Sequence, residues 1–413
     1  MLSKGKMKTF GELSDTIAGT VIAKFQFASQ VHIVLDRYDV EDLIKSGEMS
    51  RRSRWMAVEI KNQSRETKLP ASLKRYLSIG KNKPNLLTFL LSDWCENLPG
   101  QLNDGQTLIL ASQDGSAMKV TKTMNRENII PLYSGHQEAD CRMFVHYEYI
   151  ANQLSDISNS SKRIIIFSPD TDVAVLCGYH FSQLSIQELW FHTGNGRNRR
   201  FIPVHKTVEK VEQDVCNLLP AMHALTGCDS TSNLNGIGKK GGFTTLKKHK
   251  DDLVGLKNLG TDCTVISDET LTVCLKFIGL LYGEATSHLN HLRYKLFTKK
   301  HLESSKLPPT EDSALYHVKR ANYQCFIWKH ARDRRLSLPS PDGNGWTKDE
   351  MGYLVPKLME KDPAPESLLE LIVCRCKKGC NARCFCRRVA LSCTAACTCE
   401  NDCSSLQEND ERR

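Results

Sequence analysis

Acidic residues follow several predicted strands of this 413-residue chain. Asp36 closes the apolar run VHIVLD, while Asp170 and Asp172 follow KRIIIF in the motif SPDTDV. Because the carboxyl ends of parallel strands meet at one edge of a sheet, we expect these carboxylates to converge. Clustered carboxylates repel one another unless a cation lies between them, and such hard oxygen ligands suit Mg²⁺ or Mn²⁺.

Two further motifs add three acids to this group. Glu138 and Asp140 lie in HQEADCRMF, and Asp229 lies in LTGCDSTS. Alone, each acid has an ordinary explanation, such as a helix N-terminus for Glu138 and Asp140 or a turn for Asp170. Together they predict a site for divalent cations, and two cations about 3.5–4 Å apart stabilise both the attacking and the leaving oxygen of a phosphodiester. The predicted reaction class is metal-assisted phosphodiester hydrolysis.

The segment GIGKK, which follows the last acidic motif, predicts a contact with a nucleic-acid backbone. Gly236 and Gly238 permit a tight turn with outward-facing amides, and Lys239 and Lys240 bring positive charge to the start of the next helix. The segment is not a nucleotide-binding P-loop, because the chain has no GxxxxGK[ST] pattern.

The second group of candidate functional residues in the chain consists of cysteines. Nine of the 17 cysteines have the spacing C-x-C-x3-C-x3-C-x-C-x6-C-x3-C-x-C-x3-C. Because this segment is too short to build an apolar core, bound metal must organise it. Zinc takes four thiolates, and nine thiolates fill the twelve positions of three zinc ions if three of them bridge. The predicted ligands are Cys374, Cys376, Cys380, Cys384, Cys386, Cys393, Cys397, Cys399 and Cys403.

Predicted strands and helices alternate along the chain and must position these residues. The predicted strands are 31–36, 108–112, 162–170 and 188–194, and the predicted helices are 86–98, 138–154, 208–227 and 268–300. This alternation predicts parallel βαβ units, and hence a three-layer α/β fold with a mainly parallel sheet.

The domain organisation predicted from the sequence has three parts. They are an α/β domain over residues 1–300, a proline-containing helical or loop connector over 301–365, and a zinc-organised module with a polar tail over 366–413.

Composition and charge narrow the class of protein. A hydrophobic content of 40% excludes a wholly disordered chain. The sequence contains neither a membrane-length apolar run nor the apolar segment of a secretory signal, so dense cysteine indicates an intracellular, metal-binding protein. The net charge of +9 is concentrated in residues 51–83 and 239–250. These basic stretches are either solvated helix faces or contacts for a polyanion, and their position beside acidic motifs favours the polyanion.

The order VLD, EAD, DTD, GCD and GIGKK resembles the flap-endonuclease branch of the PIN-like nuclease superfamily over about residues 20–300. The longer motifs HQEADCRMF, SPDTDV and HALTGCDSTS resemble its transposon-associated group in animal genomes. The resemblance implies a PIN-like domain whose catalytic, metal-binding acids are Asp36, Glu138, Asp140, Asp170, Asp172 and Asp229. It implies nucleic-acid contacts by Arg51, Arg52, Arg54, Gly236, Gly238, Lys239 and Lys240.

The start of the chain departs from this family pattern. The family begins with a strand that carries its own metal-binding Asp, upstream of the strand matched by VHIVLD. Here TFGELSDTIAGTVIAKFQF precedes VHIVLD and predicts a helix, with Asp15 inside it. We therefore expect a domain without that first strand, which leaves enzymatic activity open.

The cysteine spacing resembles the CXC domain of the tesmin family and, more distantly, the zinc cluster that precedes histone-methyltransferase SET domains. Where tesmin-type domains carry a Tyr that reads the DNA minor groove, this chain has Arg383. The net charge of this block, +4, fits a contact with phosphates that ignores base sequence. The alternative is a zinc module that is purely structural or docks a protein or chromatin partner.

These features predict a nuclear or otherwise intracellular nucleic-acid phosphodiester hydrolase of flap-endonuclease type, derived from a mobile element. We expect Mg²⁺ or Mn²⁺ at the acids and about three Zn²⁺ ions in the CXC module. DNA is favoured over RNA as the partner, and no membrane is expected. Two alternatives stay open: an inactive DNA- or chromatin-binding protein with the nuclease fold, and a PIN-type ribonuclease.

Overall fold

The computed structural model describes residues 7–38, 64–155, 163–194, 196–300 and 304–361, with residues 374, 376, 380, 384–388, 393 and 397–399 near the C-terminus. The chain divides into two compact units, Met1–Leu358 and Met359–Arg413. Four predicted site residues lie outside the described residues: Arg51, Arg52, Arg54 and Cys403.

The first half of the larger unit follows the predicted alternation of strands and helices. Its elements are α1 (Phe10–Phe25), β1 (Gln30–Ile33), α2 (Leu73–Leu77), α3 (Asn82–Asn97), β2 (Thr107–Ala111), β3 (Ala117–Thr121), β4 (Arg126–Asn128), α4 (Ala139–Ser155), β5 (Arg163–Phe167), α5 (Thr171–His180) and β6 (Glu188–Thr193). Each of the four predicted strands is present, because apolar runs rich in β-branched residues pack well in a pleated sheet.

The second half of the larger unit is mainly helical. Its elements are β7 (Arg200–Pro203), α6 (Val204–Val211), α7 (Gln213–Leu225), α8 (Lys239–Lys248), α9 (Asp268–Leu281), α10 (Leu289–Lys300), α11 (Glu311–Lys329), β8 (Trp346–Lys348) and β9 (Leu354–Pro356). The smaller unit contributes α12 (Phe385–Arg388). No helix in the described part of the chain combines the length and apolar character needed to cross a membrane.

The strands confirm a mixed α/β class but differ from the predicted, mainly parallel sheet. Within the described residues they form three small sheets, ordered β1-β2-β3-β4, β5-β6-β7 and β8-β9. The pairs β1–β2 and β5–β6 are parallel, and the other four pairs are antiparallel. Short turns cause this difference: Gly115, at φ 88°, reverses the chain between β2 and β3, whereas a parallel pair needs a long crossover.

Two predicted helices are each divided in two. The segment 208–227 breaks at Glu212, whose φ of 75° is incompatible with a continuing helix, and this break separates α6 from α7. The segment 268–300 breaks around Gly283, where φ is 99°. Apolar periodicity continues across both breaks, so it did not reveal them.

The predicted connector over 301–365 is largely part of the larger unit. Its helix α11 buries Val318, Ala321, Cys325 and Trp328 in the same core as α4, β5 and α7. The prolines that suggested a loose segment lie outside this helix, which begins after Thr310, where the side-chain oxygen accepts the backbone N–H of Ser313 at 3.1 Å. The boundary between the two units therefore follows Leu358.

Candidate metal centres

The starts of α4 and α5 bring acids from distant parts of the chain together. Asp36, in the loop after β1, accepts the backbone N–H of Ala139, the first residue of α4, at 2.9 Å. Asp170 caps α5 by accepting the backbone N–H of Asp172 at 2.9 Å. Both acids thus satisfy exposed donors at a helix N-terminus, which also carries positive partial charge. Asp140 and Asp172 lie in the first turns of these two helices.

Three of the predicted acids form a compact triad. Asp140, Asp170 and Asp172 each have a carboxylate oxygen within 4.8 Å of the other two. Burial raises the pKa of Asp140 to about 8, with further contributions from the charges of Asp170, Glu138, Asp172 and Asp36. A divalent cation bound among the three carboxylates would relieve the repulsion that adds to this effect of burial.

The other predicted acids surround the same space. Asp36, Glu138, Asp140, Asp170 and Asp229 line one cavity of about 1170 Å³. Its volume exceeds the ~300–1000 Å³ typical of small-molecule pockets. The structure therefore places all six predicted acids at one site, five of them on the cavity wall and Asp172 in the triad.

His223, to which the sequence assigned no role, contacts the triad. Its Nε2 donates to Oδ1 of Asp172 at 2.7 Å, and its buried ring packs against Trp328 at a centroid distance of 5.6 Å. The contact joins α7 to the first turn of α5. No motif spacing signals this pair, because 51 residues separate the two side chains.

Lys239 makes different contacts from those predicted for it. Its ammonium donates to the backbone carbonyls of His223, at 2.5 Å, and of Gly227, and to the hydroxyl of Thr226. These acceptors lie at the C-terminal end of α7, where carbonyls lack helical partners. Burial lowers the pKa of Lys239, and the charge of Asp172 opposes this effect. The half-buried ammonium of Lys239 therefore binds the end of α7 in this structure, and its contact with phosphate stays a prediction.

The rest of GIGKK forms the predicted turn into a helix. Gly236 has a φ of 75°, a conformation that favours glycine, and Gly238 is the N-cap of α8. Lys240 is exposed in the first turn of α8. A glycine that the sequence analysis passed over, Gly242, lets α8 approach α7 closely, because a Cβ there would lie 2.7 Å from Cγ2 of Thr226.

The smaller unit brings its described cysteines together. They form three groups. In each group, all sulfurs lie within 4.8 Å of one another. The groups are Cys374, Cys386, Cys393, Cys397; Cys374, Cys380, Cys393, Cys399; and Cys374, Cys376, Cys380, Cys384. Three of these cysteines belong to more than one group, which matches the expectation of bridging thiolates.

The distances between these sulfurs fit thiolates around a metal. Sγ of Cys374 lies 3.5 Å from Cys380, 3.8 Å from Cys393 and 3.6 Å from Cys399. Four thiolates in a tetrahedron at a Zn–S distance of ~2.3 Å lie ~3.8 Å apart, whereas a disulfide needs ~2.05 Å. A hydrogen bond from the backbone N–H of Arg387 lowers the pKa of Cys384 to about 6 and favours its thiolate. The cluster could therefore bind zinc.

No family model matches this chain, and neither does any curated protein or solved structure. The chemistry of the two centres therefore rests on their own geometry.

Proposed function

We propose that this protein is a metal-dependent phosphodiester hydrolase that acts on nucleic acid. The observation that carries the proposal is the triad of Asp140, Asp170 and Asp172, whose oxygens lie within 4.8 Å of one another. Asp140 and Asp170 also line a large cavity. Three converging carboxylates form the donor set that Mg²⁺ and Mn²⁺ prefer. Such an ion would polarise the phosphate and lower the pKa of a bound water molecule.

The residues around this ion would have different roles. Asp140, Asp170 and Asp172 would hold it, and Asp36, Glu138 and Asp229, which line the cavity, would bind a second ion or orient water. His223 fixes the orientation of Asp172 through their 2.7 Å hydrogen bond. The ammonium of Lys239 offsets part of the negative charge of the triad, because it is close enough to Asp172 for their charges to interact.

A polymeric, anionic substrate fits the surroundings of the site. The cavity exceeds the volume of a small-molecule pocket, and the chain carries a net charge of +9. DNA is the preferred substrate in this proposal because the order of the acidic motifs resembles flap endonucleases. The same metal chemistry hydrolyses RNA, so a ribonuclease is the alternative.

The cysteine module would bind zinc and help to hold the nucleic acid. Its eight described cysteines supply all members of the three groups, and Cys403 is the ninth thiol of the block. The basic residues among these cysteines give the block its net charge of +4, which suits phosphate contacts. A protein with these two modules would act in the nucleus.

Cleavage assays with matched variants test the hydrolase. Labelled single-stranded, duplex and flapped DNA and single-stranded RNA are incubated with the protein and Mg²⁺ or Mn²⁺. Asp170→Asn with Asp172→Asn removes two charges while Asn still caps α5, and cleavage should fall at least a hundredfold. Asp214→Asn is the control, because Asp214 is an exposed acid in the first turn of α7.

Each result of this assay has a clear meaning. Loss of cleavage in the double variant with retention in Asp214→Asn supports the hydrolase. Full cleavage by the double variant would contradict the assigned metal site. Binding of DNA without cleavage by the wild-type protein would support an inactive nucleic-acid-binding protein instead.

A further inference from the structure

One face of the sheet β5-β6-β7 carries a row of rings. Phe167, His192 and Phe201 are register partners on the three strands. The rings of Phe167 and His192 stack with centroids 4.4 Å apart, and Phe201 meets His192 edge-on at 4.3 Å. A second row on this face consists of Ile165, Trp190 and Pro203.

Part of this face is open to solvent in the described part of the chain, at Ile165 and Phe201, whereas His192 is buried between the rings of Phe167 and Phe201. Ile165 is 45% exposed and Phe201 is 52% exposed. The opposite face packs into the core through side chains such as Ile164, Leu189 and Phe191, which are buried. Exposed apolar patches of this kind mark interaction surfaces in soluble proteins.

Cations border the row of rings. Nζ of Lys24 lies 4.1 Å from the ring centroid of Phe167, and Lys24 and Arg199 are close enough to His192 for their charges to help lower its pKa. Arg197, Arg199 and Arg200 are exposed in and beside the loop between β6 and β7. Rings bordered by cations suit a ligand that has both flat bases and phosphates.

The row of rings is continuous with the acidic cavity. Phe167 is the last residue of β5 and lines that cavity together with Asp170, which lies three residues further along the chain. A strand of nucleic acid lying on the rings would therefore reach the acidic triad without leaving the protein surface.

We infer that this face is a stacking platform for unpaired bases of single-stranded nucleic acid. Phe201 is its exposed ring, Ile165 is exposed beside it, Phe167 and Trp190 are half-buried, and the buried His192 supports the row from within. Duplex bases are stacked on one another and cannot lie on protein rings, whereas every unpaired base has a free π-face. The inference rests on the proposed hydrolase and specifies its substrate: a single-stranded segment lies on the platform and leads into the acidic cavity.

Binding without metal tests the platform separately from catalysis. Fluorescence anisotropy with labelled oligo-dT, oligo-rU and a duplex of equal length is measured in EDTA, where the hydrolase is inactive. Phe201→Ala should weaken single-strand binding by about fivefold to a hundredfold, the range for loss of one stacked base. Phe201→Tyr should retain the affinity, and Phe201→Leu should lose it despite keeping apolar surface. Phe297→Ala is the control, because Phe297 on α10 is 57% exposed and lies outside this sheet.

The alternatives give different results. Equal single-strand affinity in Phe201→Ala and wild type would overturn the platform, as would equal affinity in Phe201→Leu. A change of oligomeric state in Phe201→Ala, seen by analytical ultracentrifugation without a change in oligonucleotide binding, would assign the face to a second copy of the chain and overturn the inference. Loss of cleavage in the Asp170 and Asp172 double variant with normal binding in EDTA leaves the platform intact. Normal cleavage by the double variant refutes the hydrolase site alone.

Discussion

Nε2 of His223 donates a 2.7 Å hydrogen bond to Oδ1 of Asp172, and this contact fixes one carboxylate of the triad from a helix distant in the sequence. His223 is buried and does not line the cavity. A hydrogen bond of this kind orients a ligating carboxylate, as in the outer shell of many metal sites. His223 is therefore a positioning residue.

Replacing His223 should weaken metal binding more than it weakens folding. We expect His223→Leu to lower cleavage about 10–100-fold and to raise the Mn²⁺ concentration that gives half-maximal cleavage. His223→Gln, which can still donate a hydrogen bond, should recover most of the loss. The measurement is a Mn²⁺ titration of the cleavage rate, with thermal unfolding in EDTA as the control for folding. An unchanged Mn²⁺ dependence in His223→Leu would show that the pair is only structural.

The raised pKa of Asp140 should make stability depend on pH. In the folded protein this pKa is about 8, against about 4 in an unfolded chain. Between these values the folded state retains a proton that the unfolded state has released, so the free energy of unfolding falls as pH rises from about 4 to about 8. Above about pH 8 this contribution no longer changes.

Asp140→Asn should remove that dependence. In EDTA the variant should have a higher Tm than wild type by several degrees at about pH 8, and by less at about pH 5. Adding Mg²⁺ should raise the Tm of the wild type more than that of the variant, because only the wild type has the complete triad. Differential scanning calorimetry of both proteins and of Asp214→Asn measures this. A Tm difference that is the same at both pH values would contradict the assigned pKa.

Replacing the two adjacent lysines of GIGKK should affect different properties: stability for Lys239 and DNA binding for Lys240. Lys239 is half-buried against the end of α7, so Lys239→Ala leaves three acceptors without their donor and should lower the free energy of unfolding by about 1–3 kcal/mol. Lys240 is exposed, so Lys240→Ala should change stability by less than about 0.5 kcal/mol.

Binding separates the two lysines as well. Lys240→Ala should weaken DNA binding and reduce its salt dependence by about one phosphate contact. Urea unfolding and DNA titrations over a range of salt concentrations measure both properties. If Lys239→Ala unfolds like wild type but loses DNA binding, then Lys239 contacts phosphate, as the sequence alone suggested.

The contrast between these lysines shows what sequence patterns reveal. The strands and the convergence of the acids could be predicted, because apolar runs define strands and the acids stand at their ends. The contacts of Lys239 could not be predicted, because they depend on where α7 ends in space. The burial of α11 could not be predicted either, because buried residues occur around most of its circumference and leave no apolar stripe to detect. The break at Glu212 depends on one backbone angle and leaves the apolar pattern intact.

Zinc content should depend on which cysteine is replaced. Cys393 belongs to two of the three groups, whereas Cys376 belongs to one. We expect about three zinc ions per wild-type chain, since three bridging thiolates among nine complete twelve ligand positions. Cys393→Ser should therefore lose more zinc than Cys376→Ser, because removing a shared thiolate disturbs two metal sites at once.

Metal analysis of the full chain by mass spectrometry, after dialysis against a weak chelator, measures this difference. The matched control is Cys95→Ser, which changes a half-buried free cysteine in the larger unit and should leave zinc content unchanged. Equal zinc loss in Cys393→Ser and Cys376→Ser would contradict the sharing of Cys393 between groups. A wild-type content of one zinc or none would contradict the cluster itself, because a single ion needs only four of these thiolates.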